Sequence, residues 1–127
     1  MIIGALIVTH GDLGRVLVEE AEHLIGVQER FSALSTQGMA AGEITDKIRE
    51  IIHHDPWIVF TDTPGTSPTV RSCVAICEGQ AVVTGVNLGM ILSFLVHRDH
   101  FSVQELANRM VNDGRRSLDV KWPMQGE

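Results

Sequence analysis

The segment from Ile2 to Gly14 restricts the fold more than any other. Ile2 and Ile3, then Ala5 to Val8, form a short and almost wholly apolar stretch that stops at Thr9-His10-Gly11. Short apolar strands of this kind lie at the centre of parallel sheets, where helices cover both faces. Leu13, Val16, Leu17, Ala21 and Leu24 follow at three- and four-residue steps, with Glu19, Glu20, Glu22 and His23 on the other side. That pattern predicts an amphipathic helix closing near Gly26. A strand running straight into a helix ends at the rim where open α/β sheets bind ligands, and His10 stands at that rim.

The same alternation continues. Phe31–Ser35 reads as a second strand, and Ile44, Ile48, Ile51 and Ile52 mark a helix stopped by Pro56, with His53 and His54 in its last turn. Trp57–Thr61 is a third strand ending at Asp62. Ser67-Pro68 reads as an N-cap residue and a first-turn proline, opening a helix with Val70, Cys73, Val74 and Cys77 on one face and Gly79 at its end. On that helix the two cysteines are expected to be buried free thiols. Ala81–Thr84 is a fourth strand, and Asn87 caps a helix from Leu88 to about His97. Ser102 and Glu105 match a capping box for a helix ending near Gly114, and a last strand is expected around Ser117–Lys121. This tail strand has little apolar content and needs an existing sheet edge. The order βαβαβαβααβ predicts one domain over residues 1–127, with a mostly parallel, doubly wound sheet and helices on both faces.

Composition removes several functions. A net charge of −6 leaves no basic stripe for nucleic acid. No apolar run approaches the ~20 residues that span a bilayer. No basic leader precedes the first strand, so a cytoplasmic protein is expected. No P-loop, no GxGxxG after a strand, no acidic cluster at the first strand's end and no GxSxG elbow is present. Neither a metal nor another cofactor is expected.

What survives is a histidine, a carboxylate and a helix end. If the first and third strands are neighbours, His10 and Asp62 share one rim. A carboxylate accepting from Nδ1–H fixes the imidazole tautomer and leaves Nε2 free as a nucleophile. Ser67 and the first amides of its helix would favour an anion such as phosphate. A histidine at a strand end is also often a plain polar contact, and an aspartate there a turn residue. Arg15 and Arg71, each one turn into a flanking helix, are candidates for charge relief or simply surface cations.

Thr9-His10-Gly11, the glutamate-rich helix to Gly26, Asp62-Thr63-Pro64-Gly65-Thr66-Ser67-Pro68 and Thr84-Gly85-Val86-Asn87-Leu88-Gly89-Met90 resemble the enzyme IIA component of the mannose-family sugar phosphotransferase system, across essentially the whole chain. The resemblance implies four parallel strands in order 2-1-3-4, with a C-terminal antiparallel edge strand exchanged in a cytoplasmic homodimer. It implies that His10 takes a phosphoryl group on Nε2 from the phosphocarrier HPr and passes it to a histidine of an enzyme IIB partner, which serves a membrane sugar permease. Asp62 matches the orienting carboxylate and Ser67 the phosphate-contacting serine, with Gly65 and Thr66 beside it. Gly65-Thr66 stands where the family has two glycines, and Gly89 where it has a proline. A threonine accommodates positive φ poorly, so Thr66 is expected to keep the loop farther from a phosphate, and Gly89 to change a partner-facing surface. Two other readings fit the same residues: a regulatory interaction protein that responds to its phosphorylation state without sugar transport, and a small-anion-binding module.

Overall fold

The computed structural model describes residues 1–125. The elements in chain order are β1 (Gly4–Thr9), α1 (Leu13–Ile25), β2 (Phe31–Ser35), α2 (Ala41–Ile52), β3 (Trp57–Thr61), α3 (Ser67–Ala75), β4 (Ala81–Val83), α4 (Leu88–His97) and α5 (Val103–Arg116). The four strands form one parallel sheet in the order β2-β1-β3-β4, as expected.

Alternate strand residues feed two apolar layers. Ala5, Ile7, Ile58 and Phe60 pack with Leu17 and Ala21 of α1 and with the buried residues of α4 and α5. Phe60 meets Phe94 edge-on at 5.5 Å between ring centres. Leu6, Val8, Trp57 and Val59 face the other way, onto Ile44, Ile48 and Ile52 of α2 and Ala75 of α3. Every residue of β1 and β3 is buried, which explains their unbroken apolar character.

The chain leaves β1 on one face through α1 to reach β2, and leaves β3 on the other face through α3 to reach β4. The direction of winding therefore reverses between β1 and β3. Open α/β sheets part at such a point and leave a crevice above the carboxyl ends of the two strands. Gly14 brings α1 close to this point: a Cβ there would lie 2.9 Å from the Ile7 carbonyl oxygen and 3.3 Å from Ala33 Cβ.

Several helix faces depart from the expected stripes. In α1 the buried residues are Gly14, Leu17 and Ala21, whereas Leu13, Val16 and Leu24 are 48%, 40% and 61% exposed. A glycine contact point draws the helix down on a narrow line and leaves its apolar neighbours outside. α3 ends at Ala75 with Ile76 as C-cap, and its buried side is Pro68, Thr69, Ser72 and Ala75. Val70, Cys73 and Val74 consequently face outward, and Cys77 lies beyond the helix, half-buried. The expected burial of both thiols is corrected accordingly.

The edge strand expected at Ser117–Lys121 is not formed: residues 117–125 lie in no strand, although β4 is an edge of the sheet. Leu118, Val120, Trp122 and Met124 are all strongly exposed.

Two helical glycines in contrasting surroundings give a test. Gly14→Ala should destabilise by about 1–3 kcal/mol, since a backbone carbonyl cannot yield. Gly42→Ala, where a Cβ meets nothing within 4 Å, should be neutral or stabilise by up to about 1 kcal/mol. Urea unfolding of the two variants measures both signs.

Candidate functional site

β1 and β3 pair with Val8 opposite Thr61, so the residues after both strands emerge side by side. His10 leaves β1 on this rim with its side chain exposed, and Asp62 leaves β3 half-buried. The Thr9 hydroxyl donates to the Gly11 carbonyl (2.9 Å) and accepts from the Gly14 amide (3.1 Å), clasping the turn that carries His10 to the start of α1. Ser35 Oγ of β2 donates to the His10 carbonyl at 3.2 Å. The backbone of the histidine is thus tied on both sides while its ring stays free.

His10 and Asp62 share the rim, yet no hydrogen bond joins the ring to the carboxylate in this structure; Asp62 Oδ1 accepts from the Thr63 amide at 2.9 Å instead. The strand register places the two residues at the same end of neighbouring strands.

Across the crevice, α3 begins one residue earlier than the Ser67-Pro68 motif indicates. Thr66 is the N-cap, its carbonyl accepting from Val70 N at 2.9 Å, and Ser67 and Pro68 are the first two helical residues. No side chain caps this end; Thr66 Oγ1 donates to the Thr63 carbonyl (2.7 Å) and accepts nothing from the helix. Uncapped amides, reinforced by the helix dipole, suit an anion. Asn87 and Ser102, by contrast, do cap α4 and α5.

The two departures from the resembled pattern also have an explanation. Gly65 takes the positive φ of the loop (81°), while Thr66 sits at φ −91°, ψ 167°, ordinary extended backbone. The threonine therefore introduces no strain, and the expected penalty is corrected. A Cβ at Gly89 would meet the Ser117 hydroxyl, so this glycine lies against the exit of the C-terminal tail.

The two arginines differ. Arg15 is engaged by Glu19 at 2.7 Å and Asp12 at 3.5 Å, and the Glu19 hydrogen bond is the main cause that raises its pKa. Arg71, one turn into α3, has no ion-pair partner among the described residues. Sequence reasoning missed the buried hydroxyls of Thr61 and Thr69 beneath the loop, because neither residue type nor spacing signals a contact between a strand end and the next helix.

Among the described residues, no group of three or more histidine, cysteine, aspartate or glutamate side chains could hold a metal, and no helix is long and apolar enough to cross a membrane. A groove of about 640 Å³ runs along the outer edge of β4 beside α5, away from this rim.

The structure is similar to phosphotransferase system component EIIA from Streptococcus agalactiae, at 22% identity over 93% of this chain and 96% of that one, with a TM-score of 0.85. It is also similar to the mannose/sorbose specific IIA subunit of the phosphotransferase system from Enterococcus faecalis, at 19% identity over 99% and 100% of the two chains, with a TM-score of 0.88. At these identities the likeness establishes the fold. No curated protein is a significant match to the sequence. The family model described as PTS system fructose IIA component matches residues 4–111, most of the chain, and the chain belongs to that family.

Proposed function

We propose that this chain is a phosphoryl carrier of a phosphoenolpyruvate-dependent sugar phosphotransferase system and that His10 is the residue that carries the group. The observation that supports this most is the position of an exposed imidazole at the carboxyl end of β1, at the reversal point of the sheet, in a chain that belongs to the IIA family. In this reading the Nε2 lone pair of His10 attacks the phosphorus held on a histidine nitrogen of phospho-HPr. The new P–N bond forms as the old one breaks, and the bonding pair returns to the donor ring. The reverse geometry then delivers the group to a histidine of an enzyme IIB partner. Exchange between imidazoles is nearly balanced, so positioning and charge compensation suffice, without metal or nucleotide.

Asp62 takes the orienting role. Rotation of two partly exposed side chains brings its carboxylate to Nδ1–H, and such contacts commonly tighten only when the partner is bound. Ser67, Thr66 and Gly65 form the wall that faces the phosphoryl oxygens, with the α3 amides as donors. Arg71 lies four residues from Ser67, on the same helical face, and would add positive charge near the helix start. Leu13 and Val16 in the first turn of α1 and Val70 in the first turn of α3 are exposed apolar residues near the helix starts that face the rim, which suits a docking protein.

The whole chain, residues 1–127, acts as one such domain, working in the cytoplasm as a homodimer linked through enzyme IIB to a membrane permease. The tail supports the dimer. Leu118, Val120, Trp122 and Met124 alternate along it, and the β4 edge lies open beside an apolar groove lined in part by Val82, Val103, Ala107 and Val111. A partner's tail added antiparallel to β4 would cover both.

With phosphoenolpyruvate, enzyme I and HPr, the chain should acquire an acid-labile, base-stable phosphoryl group. His10→Ala should abolish it, while His53→Ala and His97→Ala should retain it; label retained in His10→Ala contradicts the assignment. Asp62→Asn should slow transfer at least tenfold with unchanged melting temperature. A chain ending at Arg116 should run as a monomer in light scattering, whereas the full chain runs as a dimer.

A further inference from the structure

Beneath the loop that faces His10 lies a chain of hydroxyl groups that the phosphoryl-carrier reading does not use. Thr61 closes β3 and is fully buried; Thr69, in the first turn of α3, is 8% exposed. Their hydroxyl oxygens are 2.7 Å apart, and Thr69 Oγ1 also donates to the Thr63 carbonyl at 2.8 Å. A carbonyl only accepts, so the single Thr69 proton is committed to it, and Thr61 must be the donor to Thr69. Thr66 Oγ1 supplies a second hydroxyl to the same Thr63 carbonyl. The proton order is therefore one-way: Thr61 to Thr69 to the loop backbone, with Thr66 closing from the other side.

This arrangement has a consequence for the helix end. Thr66 Oγ1 is turned to the Thr63 carbonyl and makes no cap bond, so the α3 end carries no side-chain cap. The Thr61–Thr69 pair anchors the same carbonyl to the strand that delivers Asp62. One buried contact thus sets the loop carrying Asp62, Gly65, Thr66 and Ser67 relative to β3.

We propose that Thr61 and Thr69 are positioning residues for phosphoryl transfer: their hydroxyl chain holds the Asp62–Ser67 loop, and with it the open α3 amides, at a fixed height above the sheet. The inference rests on the reading of His10 as the phosphoryl acceptor. It does not make either threonine a contact of the phosphoryl group. It makes both of them determinants of rate, because small displacements of the groups around a reacting atom slow the reaction severely.

Valine substitutions separate positioning from packing. Thr69→Val keeps the shape but leaves the buried Thr61 hydroxyl without an acceptor, so it should lower the melting temperature and reduce kcat for transfer from phospho-HPr about tenfold, with KM for phospho-HPr little changed. The double variant Thr61→Val/Thr69→Val removes the orphaned donor. Its melting temperature should recover toward wild type, while its kcat should remain about tenfold low. Thr69→Ser, which retains the hydroxyl, should transfer within about twofold of wild type. In amide hydrogen exchange without any phosphoryl donor, residues 62–67 of the double variant should exchange faster and the rest of the sheet should not.

A double variant that regains wild-type kcat along with its stability overturns the proposal, and so does Thr69→Ser as slow as Thr69→Val. Should Thr69→Val fail to fold, the double variant carries the test alone. A His10→Ala control in the same assay distinguishes the two levels. Label lost in His10→Ala but unchanged kcat in the double variant leaves the carrier reading intact and removes only the positioning role. Label retained in His10→Ala, or absent from the wild type, removes both.

Discussion

Everything at the rim follows from the pairing of β1 with β3. Both strands are buried on both faces, run parallel, and sit at the centre of the sheet with Val8 opposite Thr61. Because α1 and α3 must cover opposite faces, the chain departs from this pair in two directions and the carboxyl ends stay uncovered. Turn chemistry then completes what topology begins. The Thr9 hydroxyl clasps the turn after β1, and the Thr61–Thr69 pair clasps the loop after β3. Each strand of the central pair thus ends in a threonine whose side chain restrains the segment that follows it.

The site depends on neutral donors and helix ends more than on fixed charge. Arg15 is held by its own helix, and Asp12 and Asp62 add negative charge near the histidine. In the proposed role, an incoming phosphoryl group would face the backbone amides at the start of α3, with Arg71 one turn into the helix. Such donors are oriented before the reaction and need no reorganisation during it.

The order of the four strands and five helices along the chain and the placement of His10 and Asp62 at strand ends were legible in the sequence because each depends on apolar periodicity and on turn residues, whereas the strand order came from the family resemblance. The faces of the helices were not. Leu13 and Val16 carry the same spacing as Leu17 and Ala21, and what separates them is the close approach of Gly14 to the Ile7 carbonyl, a tertiary contact. Val70, Cys73 and Val74 form the apolar stripe of α3 in sequence, yet the helix buries Thr69 and Ser72, whose hydroxyls find acceptors at Thr63 and Pro68. The start of α3 moved by one residue because Thr66 has the extended backbone of a cap without making the side-chain bond of one. The tail reads as a strand in sequence but lies in no strand of the single chain, and the spacing of His10 and Asp62 did not indicate that Asp62 Oδ1 accepts from the Thr63 amide.

The proposed carrier role places the phosphoryl group on one atom, Nε2 of His10. The most direct measurement is nitrogen–phosphorus NMR of the ¹⁵N-labelled chain after phosphorylation by HPr. The account predicts one phosphohistidine, with phosphorus coupled to Nε2 of His10 and a proton retained on Nδ1. Phosphorus coupled to Nδ1, or carried by any other residue, contradicts it.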